Sequence, residues 1–202
     1  MRVILASSSP YRAELLKRII TNFSCDSPAI DETALANESG RQLVMRLAIE
    51  KTNTVANRSP NSLVIGCDQV ACLAVDSSAE VQLGKPGSLA IAEQHLAQCS
   101  GKTVNYITAC CLINTKTGDK QTFSDEYLLH FRSLNPRQIT RYLSLEKPFD
   151  CAGAIKSEGL GVTLINRHEG NDPTSLVGLP LIKLSQALEK AGYDLLENYT
   201  LL

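Results

Sequence analysis

Short apolar runs and helix-period patterns alternate along the chain and predict a mixture of strands and helices. The first apolar run, Val3 to Ala6, ends in three serines and a proline, and Leu15 and Leu16 follow on one helix face. Ser9 can cap this helix, and Pro10 fits its first position. A strand therefore leads into a helix N-terminus, where free N–H groups and the helix dipole favour an anion.

The same patterns predict the remaining elements and the fold class. Further strands are predicted at 23–28, 62–73, 102–114, 121–131 and 162–165, and further helices at 39–57, 88–98, 135–143 and 181–191. A polar hairpin or loop is predicted at 75–83 and a hairpin turn at 115–118. Because strands and helices are mixed, the pattern favours an α/β protein with a mixed central sheet flanked by helices. No repeat or linker divides the chain, so we predict a single domain over residues 1–202.

Composition excludes several classes of partner. The 202 residues carry a net charge of -1, so there is no global basic field to hold a nucleic acid polymer. No apolar run approaches the roughly 18 residues that span a bilayer, and Val3 to Ala6 is too short for a signal peptide. We therefore expect a cytoplasmic protein without a membrane partner.

Seven cysteines form an odd set without CxxC spacing, and most of them lie in apolar runs. This arrangement favours reduced core residues over a zinc site or disulfide bonds.

One charge interrupts an apolar run. Asp68 lies within the strand predicted at 62–73. A buried, unpaired carboxylate costs several kcal/mol or shifts its pKa, so Asp68 needs a cation, a metal or a proton to transfer. It is the strongest candidate for a functional residue in the chain.

Other polar residues offer weaker signals. Arg12 lies one turn into the first helix, and its planar fork suits a phosphate. Lys85 stands between a glycine and a proline and is either a phosphate contact or a solvated loop lysine. Glu32, after Asp31 in a polar stretch, could hold magnesium or simply be solvated. Lys51, near the end of the second helix, could be a surface charge.

A third polar group lies in the glycine-rich stretch after Cys151. Lys156 and Glu158 lie two residues apart, so an extended chain would place them on the same side. Together they could contact the edge of a nucleotide base, or they could form a plain ion pair.

Taken together, these stretches resemble the Maf family of nucleoside triphosphate pyrophosphatases. The matching residues occur in family order and are 5–16, 31–32, 48–51, 66–70, 84–86, 152–153, 172–173 and 177–180. The resemblance implies hydrolysis of an acid anhydride between the α- and β-phosphates of a nucleoside triphosphate, with Mg, Mn or Co as divalent metal. It also implies an elongated, ITPase-like fold with two lobes around a cleft, and a homodimer.

The resemblance also assigns roles to single residues. Asp68 is the proton acceptor that activates water, and it shares metal binding with Glu32. The phosphate-binding residues are Ser7, Arg12, Lys51 and Lys85. These roles suit the reaction, because cations must neutralise a triphosphate chain whose charge moves onto the leaving group.

Three positions distinguish the branches of the family. Tyr11, Gln69 and Glu158 resemble the branch that hydrolyses 7-methyl-GTP, although Trp is commoner there than Tyr11. The methylated base is positively charged, so an aromatic ring can stack on it, and a carboxylate can accept its N1–H and amine hydrogen bonds. We predict these two roles for Tyr11 and Glu158.

Three alternatives remain. The branch that acts on dTTP and UTP typically has Arg, Thr and Gln at those three positions. A nucleotide-binding regulator of septum formation and cell division would bind without turnover, but binding alone does not need a buried base. A kinase or nucleotidyltransferase is not supported, because neither GxxxxGK[ST] nor GxGxxG follows the first strand.

Overall fold

In the computed structural model of the chain, which describes residues 1–74 and 80–200, the apolar runs form seven strands of one mixed sheet. The strands are β1 Arg2–Ala6, β2 Phe23–Cys25, β3 Ser62–Ala74, β4 Glu80–Leu83, β5 Thr103–Asn114, β6 Lys120–Phe131 and β7 Ile165–Gly170. The helices are α1 Pro10–Lys17, α2 Gly40–Ala56, α3 Leu89–Cys99, α4 Pro136–Glu146, α5 Pro173–Val177 and α6 Leu181–Lys190. The strand order is β2-β1-β3-β5-β6-β7, and β4 also pairs with β3. The predicted α/β class with a mixed central sheet is confirmed.

The sheet combines parallel and antiparallel pairs. β1 is parallel to both β2 and β3, with Val3 opposite Phe23 on one side and Leu63 on the other. β4 is antiparallel to β3, and β7 is antiparallel to β6. The parallel part needs helical crossovers, which α1 and α2 supply.

The chain forms two compact units. The first comprises residues 1–68, 108–125 and the chain from 178 onward, and the second comprises 69–107 and 126–177 apart from the undescribed residues. In the first unit, Ile4 and Val64 of the sheet pack with Val55 of α2. In the second, Tyr106, Tyr127, Leu129 and Phe131 of β5 and β6 pack with Tyr142 and Leu143 of α4. The single domain expected over 1–202 stays a prediction.

Helix starts follow the capping residues that the sequence offers. The Ser9 side chain accepts from the Arg12 N–H, with Pro10 at the first helical position. Ser39 and Gln42 form a capping box at α2, and Asn135 and Gln138 form another at α4. None of the helices formed by the described residues is long and apolar enough to cross a membrane.

One local prediction needs correction. The strand expected at 162–165 is instead a 3-10 helix over residues 160–164, and β7 begins only at Ile165. The reason is a tight turn in which the Gly161 N–H donates to the Lys156 carbonyl oxygen at 3.1 Å. The stretch predicted as a hairpin or loop, 75–83, ends in β4, which is antiparallel to β3, and its residues 75–79 lie outside the described residues.

The prediction that all cysteines are reduced is wrong for two of them. Cys67 of β3 and Cys110 of β5 form a disulfide bond, with their Cα atoms 4.3 Å apart. They lie 43 residues apart in sequence, and only the pairing of β3 beside β5 brings them together. Cys72, Cys99 and Cys111 are buried free cysteines, as expected for core residues.

Candidate active site

A buried ion pair connects α2 with β3 in the first unit. Lys51 Nζ donates to Asp68 Oδ1 at 2.5 Å, and only 4% of Lys51 and 7% of Asp68 are exposed. The cationic partner that Asp68 was expected to need is therefore Lys51. The alternative that Lys51 is a surface charge is wrong, because it lies on the side of α2 that faces the sheet.

Gly66 allows this helix to approach the strand. A Cβ at Gly66 would lie 2.7 Å from the Ala48 carbonyl oxygen and 2.8 Å from the Thr52 nitrogen, both on α2. Any larger residue would separate the two elements, so the glycine fixes the distance over which Lys51 reaches Asp68. In the sequence, this close approach is indicated by a glycine that lies two residues before Asp68.

Glu32 brings a second carboxylate to the same lysine. Its Oε1 lies 2.9 Å from Lys51 Nζ, although 55% of the Glu32 side chain is exposed. Glu32 and Asp68 therefore converge on one position that a cation occupies. No group of three or more His, Cys, Asp or Glu side chains suited to a metal occurs among residues 1–74 and 80–200.

Arg12 lies beside this cluster and is anchored to the backbone. Its Nη1 donates to the Cys67 carbonyl at 2.7 Å, and its Nε donates to the Gly178 carbonyl at 3.0 Å. Burial lowers the pKa of Arg12, while the charges of Asp68 and Glu32 act in the opposite direction. These two bonds use two of the five guanidinium N–H groups.

The turn between β1 and α1 is the capped strand-to-helix connection that the sequence predicts, and its role as an anion site stays a prediction. Ser7 is buried, and its Oγ accepts from the Ser9 N–H at 3.1 Å, while Ser9 caps α1. Tyr11 is half-buried in the first turn of the same helix. The first unit thus holds six of the predicted site residues: Ser7, Tyr11, Arg12, Glu32, Lys51 and Asp68.

The second unit holds the other three predicted site residues. Gln69 directly follows Asp68 on β3, and its Nε2 donates to the Ser175 and Leu176 carbonyls, each at 2.9 Å. Lys85 is exposed in the loop between β4 and α3. Glu158 is exposed on a turn at residues 156–160, which we call the recognition turn.

The recognition turn is not the extended strand that the sequence analysis assumed. Lys156 Nζ lies 3.3 Å from Glu146 Oε1, so this lysine forms an ion pair with α4. Glu146 Oε2 accepts from the Leu160 N–H at 2.7 Å, and the Tyr142 hydroxyl accepts from the Lys156 N–H at 2.9 Å. Two side chains of α4 therefore fix the turn, while Glu158 is exposed to solvent.

Comparisons with known proteins agree with the residue pattern. The family described as Maf-like protein matches residues 2–191. A protein of Nitrosococcus oceani named 7-methyl-GTP pyrophosphatase is 48% identical over 194 residues, which is 96% of this chain and 95% of that protein. A Pseudoalteromonas atlantica protein of the same name is also 48% identical, over 98% of this chain and 99% of its own.

Among solved structures, the Staphylococcus aureus Ham1 protein has a similar fold. The TM-score is 0.52 at 14% sequence identity, and the match covers 95% of this chain and 100% of that one. This similarity concerns the fold alone.

Proposed function

Because the chain belongs to the Maf family, we propose that it is a hydrolase that cleaves 7-methyl-GTP to 7-methyl-GMP and diphosphate. The observation that carries this proposal is the buried Asp68–Lys51 pair with Glu32 and Arg12 beside it. A carboxylate beside cationic side chains supports this proposal, because hydrolysis of a triphosphate requires a base and cations that bind the phosphates. The relatives' shared name supports the choice of substrate.

In this proposal Asp68 is the proton acceptor. Lys51 binds Oδ1 and thereby orients the carboxylate, so that Oδ2 can take a proton from the attacking water. The water oxygen bonds to the α-phosphorus, and the bond from that phosphorus to the bridging oxygen of diphosphate breaks. The electron pair leaves with diphosphate, so the negative charge grows on the leaving group.

Cationic and N–H groups would stabilise that charge. Arg12 brings a guanidinium group, and the capped N-terminus of α1 offers backbone N–H groups beside the Ser7 hydroxyl. We assign phosphate binding to Ser7, Arg12, Lys51 and Lys85. Lys85, whose side chain is exposed, would bind only when the substrate is present.

The donor set of the site suits a divalent metal. Glu32 and Asp68 both contact Lys51 Nζ, so their carboxylates lie close together, and magnesium typically takes one or two carboxylates together with substrate phosphates. We propose that these two residues hold Mg, Mn or Co. When bound, the metal would neutralise charge on the phosphates.

Selection of the methylated base would rest on three residues. Tyr11 would stack on the cationic ring, and Glu158 would accept hydrogen bonds from its N1–H and amine groups. The Gln69 amide donates to carbonyls near the end of α5. Gln69 would therefore contribute to base selection indirectly, by holding that segment beside β3.

The direct test is diphosphate release from 7-methyl-GTP, GTP, dTTP and UTP with magnesium or manganese. We expect a strong preference for 7-methyl-GTP. A preference for dTTP or UTP would retain the family and overturn the assignment of the base. If the folded protein releases diphosphate from none of them, the regulator of septum formation and cell division becomes the better account.

We also propose that the enzyme works as a homodimer in the cytoplasm, where nucleoside triphosphates are made and used. Light scattering of the purified protein and fractionation of cells would test these two points separately.

A further inference from the structure

We propose that Arg46 is a positioning residue that holds Glu32 close to Asp68 and thereby tightens metal binding at the proposed reaction centre. This inference rests on the proposed function, because it assigns to Arg46 a part in the metal site described there.

Glu32 lies on a segment that cannot position it alone. Residues 26–38 contain no helix or strand, and 55% of the Glu32 side chain is exposed. Packing therefore does not fix the 2.9 Å contact between Glu32 and Lys51. An exposed side chain on an irregular segment loses conformational entropy when it is ordered, so something else must restrain the backbone.

Arg46 of α2 supplies that restraint through one guanidinium group. Its Nη2 donates to the Thr33 carbonyl, the residue directly after Glu32, at 3.1 Å. Its Nε and Nη2 donate to the two Glu38 oxygens at 2.7 and 2.8 Å, and Nη1 donates to Glu50 at 3.3 Å. The guanidinium thus ties two points of the segment to α2.

The segment has internal bonds that transmit this restraint. Glu38 Oε2 also accepts from the Leu35 N–H at 2.9 Å. Asp31 Oδ1 accepts from both the N–H and the hydroxyl of Thr33, at 2.9 and 2.7 Å. Glu32 lies between Asp31 and Thr33, so displacement of the Thr33 carbonyl would move Glu32 as well.

An ordinary surface ion pair would not have this effect. Exposed ion pairs typically contribute little to stability, and many contribute nothing measurable. The Arg46–Glu38 pair is bidentate, with side chains only 21% and 7% exposed, and it is joined to a backbone carbonyl. Arg46 and Lys51 also lie on the same helix, five residues apart, so the restraint and the site share one rigid element.

The test substitution is Arg46→Lys, which keeps the positive charge but removes the planar guanidinium group and its several N–H donors. A lysine has one nitrogen and cannot bind Glu38 and the Thr33 carbonyl in the same geometry. Arg58→Lys is a matched control, because Arg58 also makes a bidentate bond, to Asp26, and bonds the Ser27 carbonyl at 3.0 Å. The residues that Arg58 bonds, Asp26 and Ser27, lie several residues before Glu32, so Arg58 does not hold Glu32 directly.

The first readout is binding of Mn²⁺ alone, measured by calorimetry without nucleotide. Residues that orient metal ligands typically contribute about 10- to 100-fold in affinity, so we expect Arg46→Lys to weaken Mn²⁺ binding at least about tenfold. Arg58→Lys should remain within about twofold of the wild type. Equal losses in the two variants, or no loss in Arg46→Lys, would overturn the proposal.

The second readout is a double-mutant cycle with Glu32→Gln. If Arg46 acts through Glu32, adding Arg46→Lys to Glu32→Gln should weaken Mn²⁺ binding little further. Fully additive losses would mean that Arg46 acts by another route and would overturn the inference.

The third readout is cleavage of the folded protein after Glu32 by a glutamate-specific protease, identified by mass spectrometry. We expect faster cleavage in Arg46→Lys and wild-type rates in Arg58→Lys, and unchanged cleavage in Arg46→Lys would contradict the restraint. Neither Mn²⁺ binding nor cleavage requires turnover. A wild-type protein that hydrolyses no triphosphate would therefore refute the proposed function, while these readouts would still decide the role of Arg46.

Discussion

The reaction centre and the recognition turn are built in opposite ways. The Asp68–Lys51 pair is buried between a helix and a strand, and the missing side chain of Gly66 sets their separation. Glu158, in contrast, is exposed on a turn that Glu146 and Tyr142 hold from α4. Asp68 and Lys51, which are assigned to bond cleavage, thus lie on a strand and a helix, whereas Glu158, which is assigned to base choice, lies where substitution leaves the core intact. The two regions should therefore respond differently to mutation.

The largest expected effect is that of Lys51→Met. Removing one member of a buried ion pair leaves an unpaired charge, which typically costs about 3–5 kcal/mol, and here it also removes the partner of Glu32. We expect a lower free energy of unfolding in urea and a large loss of kcat. Lys17→Met, at an exposed pair with Glu14, is the control and should change neither quantity. Wild-type stability in Lys51→Met would contradict the buried pair.

Glu158→Gln should change selectivity without changing stability. A hydrogen bond to a charged group contributes about 1.5–3 kcal/mol, so the ratio of kcat/KM for 7-methyl-GTP to that for GTP should fall about tenfold. The rate with dTTP and the melting temperature should stay at their wild-type values. Equal losses with every base would show that Glu158 does not read the base.

The β1–α1 connection and Asp68 were easier to predict from the sequence than the recognition turn, and the reason is physical. The β1–α1 connection follows from local capping chemistry, so Ser9 and Pro10 were sufficient to predict it. Asp68 was conspicuous because a charge within an apolar run needs a partner. The recognition turn depends on Glu146, which lies on another element, and periodicity carries no information about such contacts.

Three further features depend on tertiary packing in the same way. Lys51 was open to interpretation as a surface residue, because its burial depends on the helix–strand distance that Gly66 allows. The Cys67–Cys110 bond depends on the pairing of β3 with β5. The contacts of Arg46 with Thr33 and Glu38 join a helix to an irregular segment, and no sequence pattern indicates either contact.

The smallest expected effect concerns acid stability of the segment that carries Glu32. Hydrogen bonds from Arg46, and then from the Leu35 N–H, lower the pKa of Glu38 to about 2 from an ordinary value of 4.5. A lowered pKa means that Glu38 contributes stability above pH 4.5 and loses that contribution as the pH falls towards 2.

Glu38→Gln should therefore melt at a lower temperature than the wild type at neutral pH. The difference in melting temperature should shrink as the pH falls from 4.5 to 2, because the wild type then loses its advantage. Differential scanning calorimetry of both proteins across this pH range measures the difference in melting temperature. A difference that stays constant with pH would exclude the Arg46–Glu38 bond as its cause.

The most direct test of the account compares the wild type with Asp68→Asn, using 7-methyl-GTP and magnesium. Asparagine keeps the shape of aspartate but cannot take the proton from water, and general base catalysis typically contributes about 10²- to 10⁴-fold. We predict that the wild type releases diphosphate and 7-methyl-GMP. Asp68→Asn should be less stable but still folded, because Lys51 keeps Glu32 and an amide oxygen as partners, and it should lose kcat by about that factor. Turnover by Asp68→Asn at the wild-type rate would contradict the assignment of this buried carboxylate as the centre of the reaction.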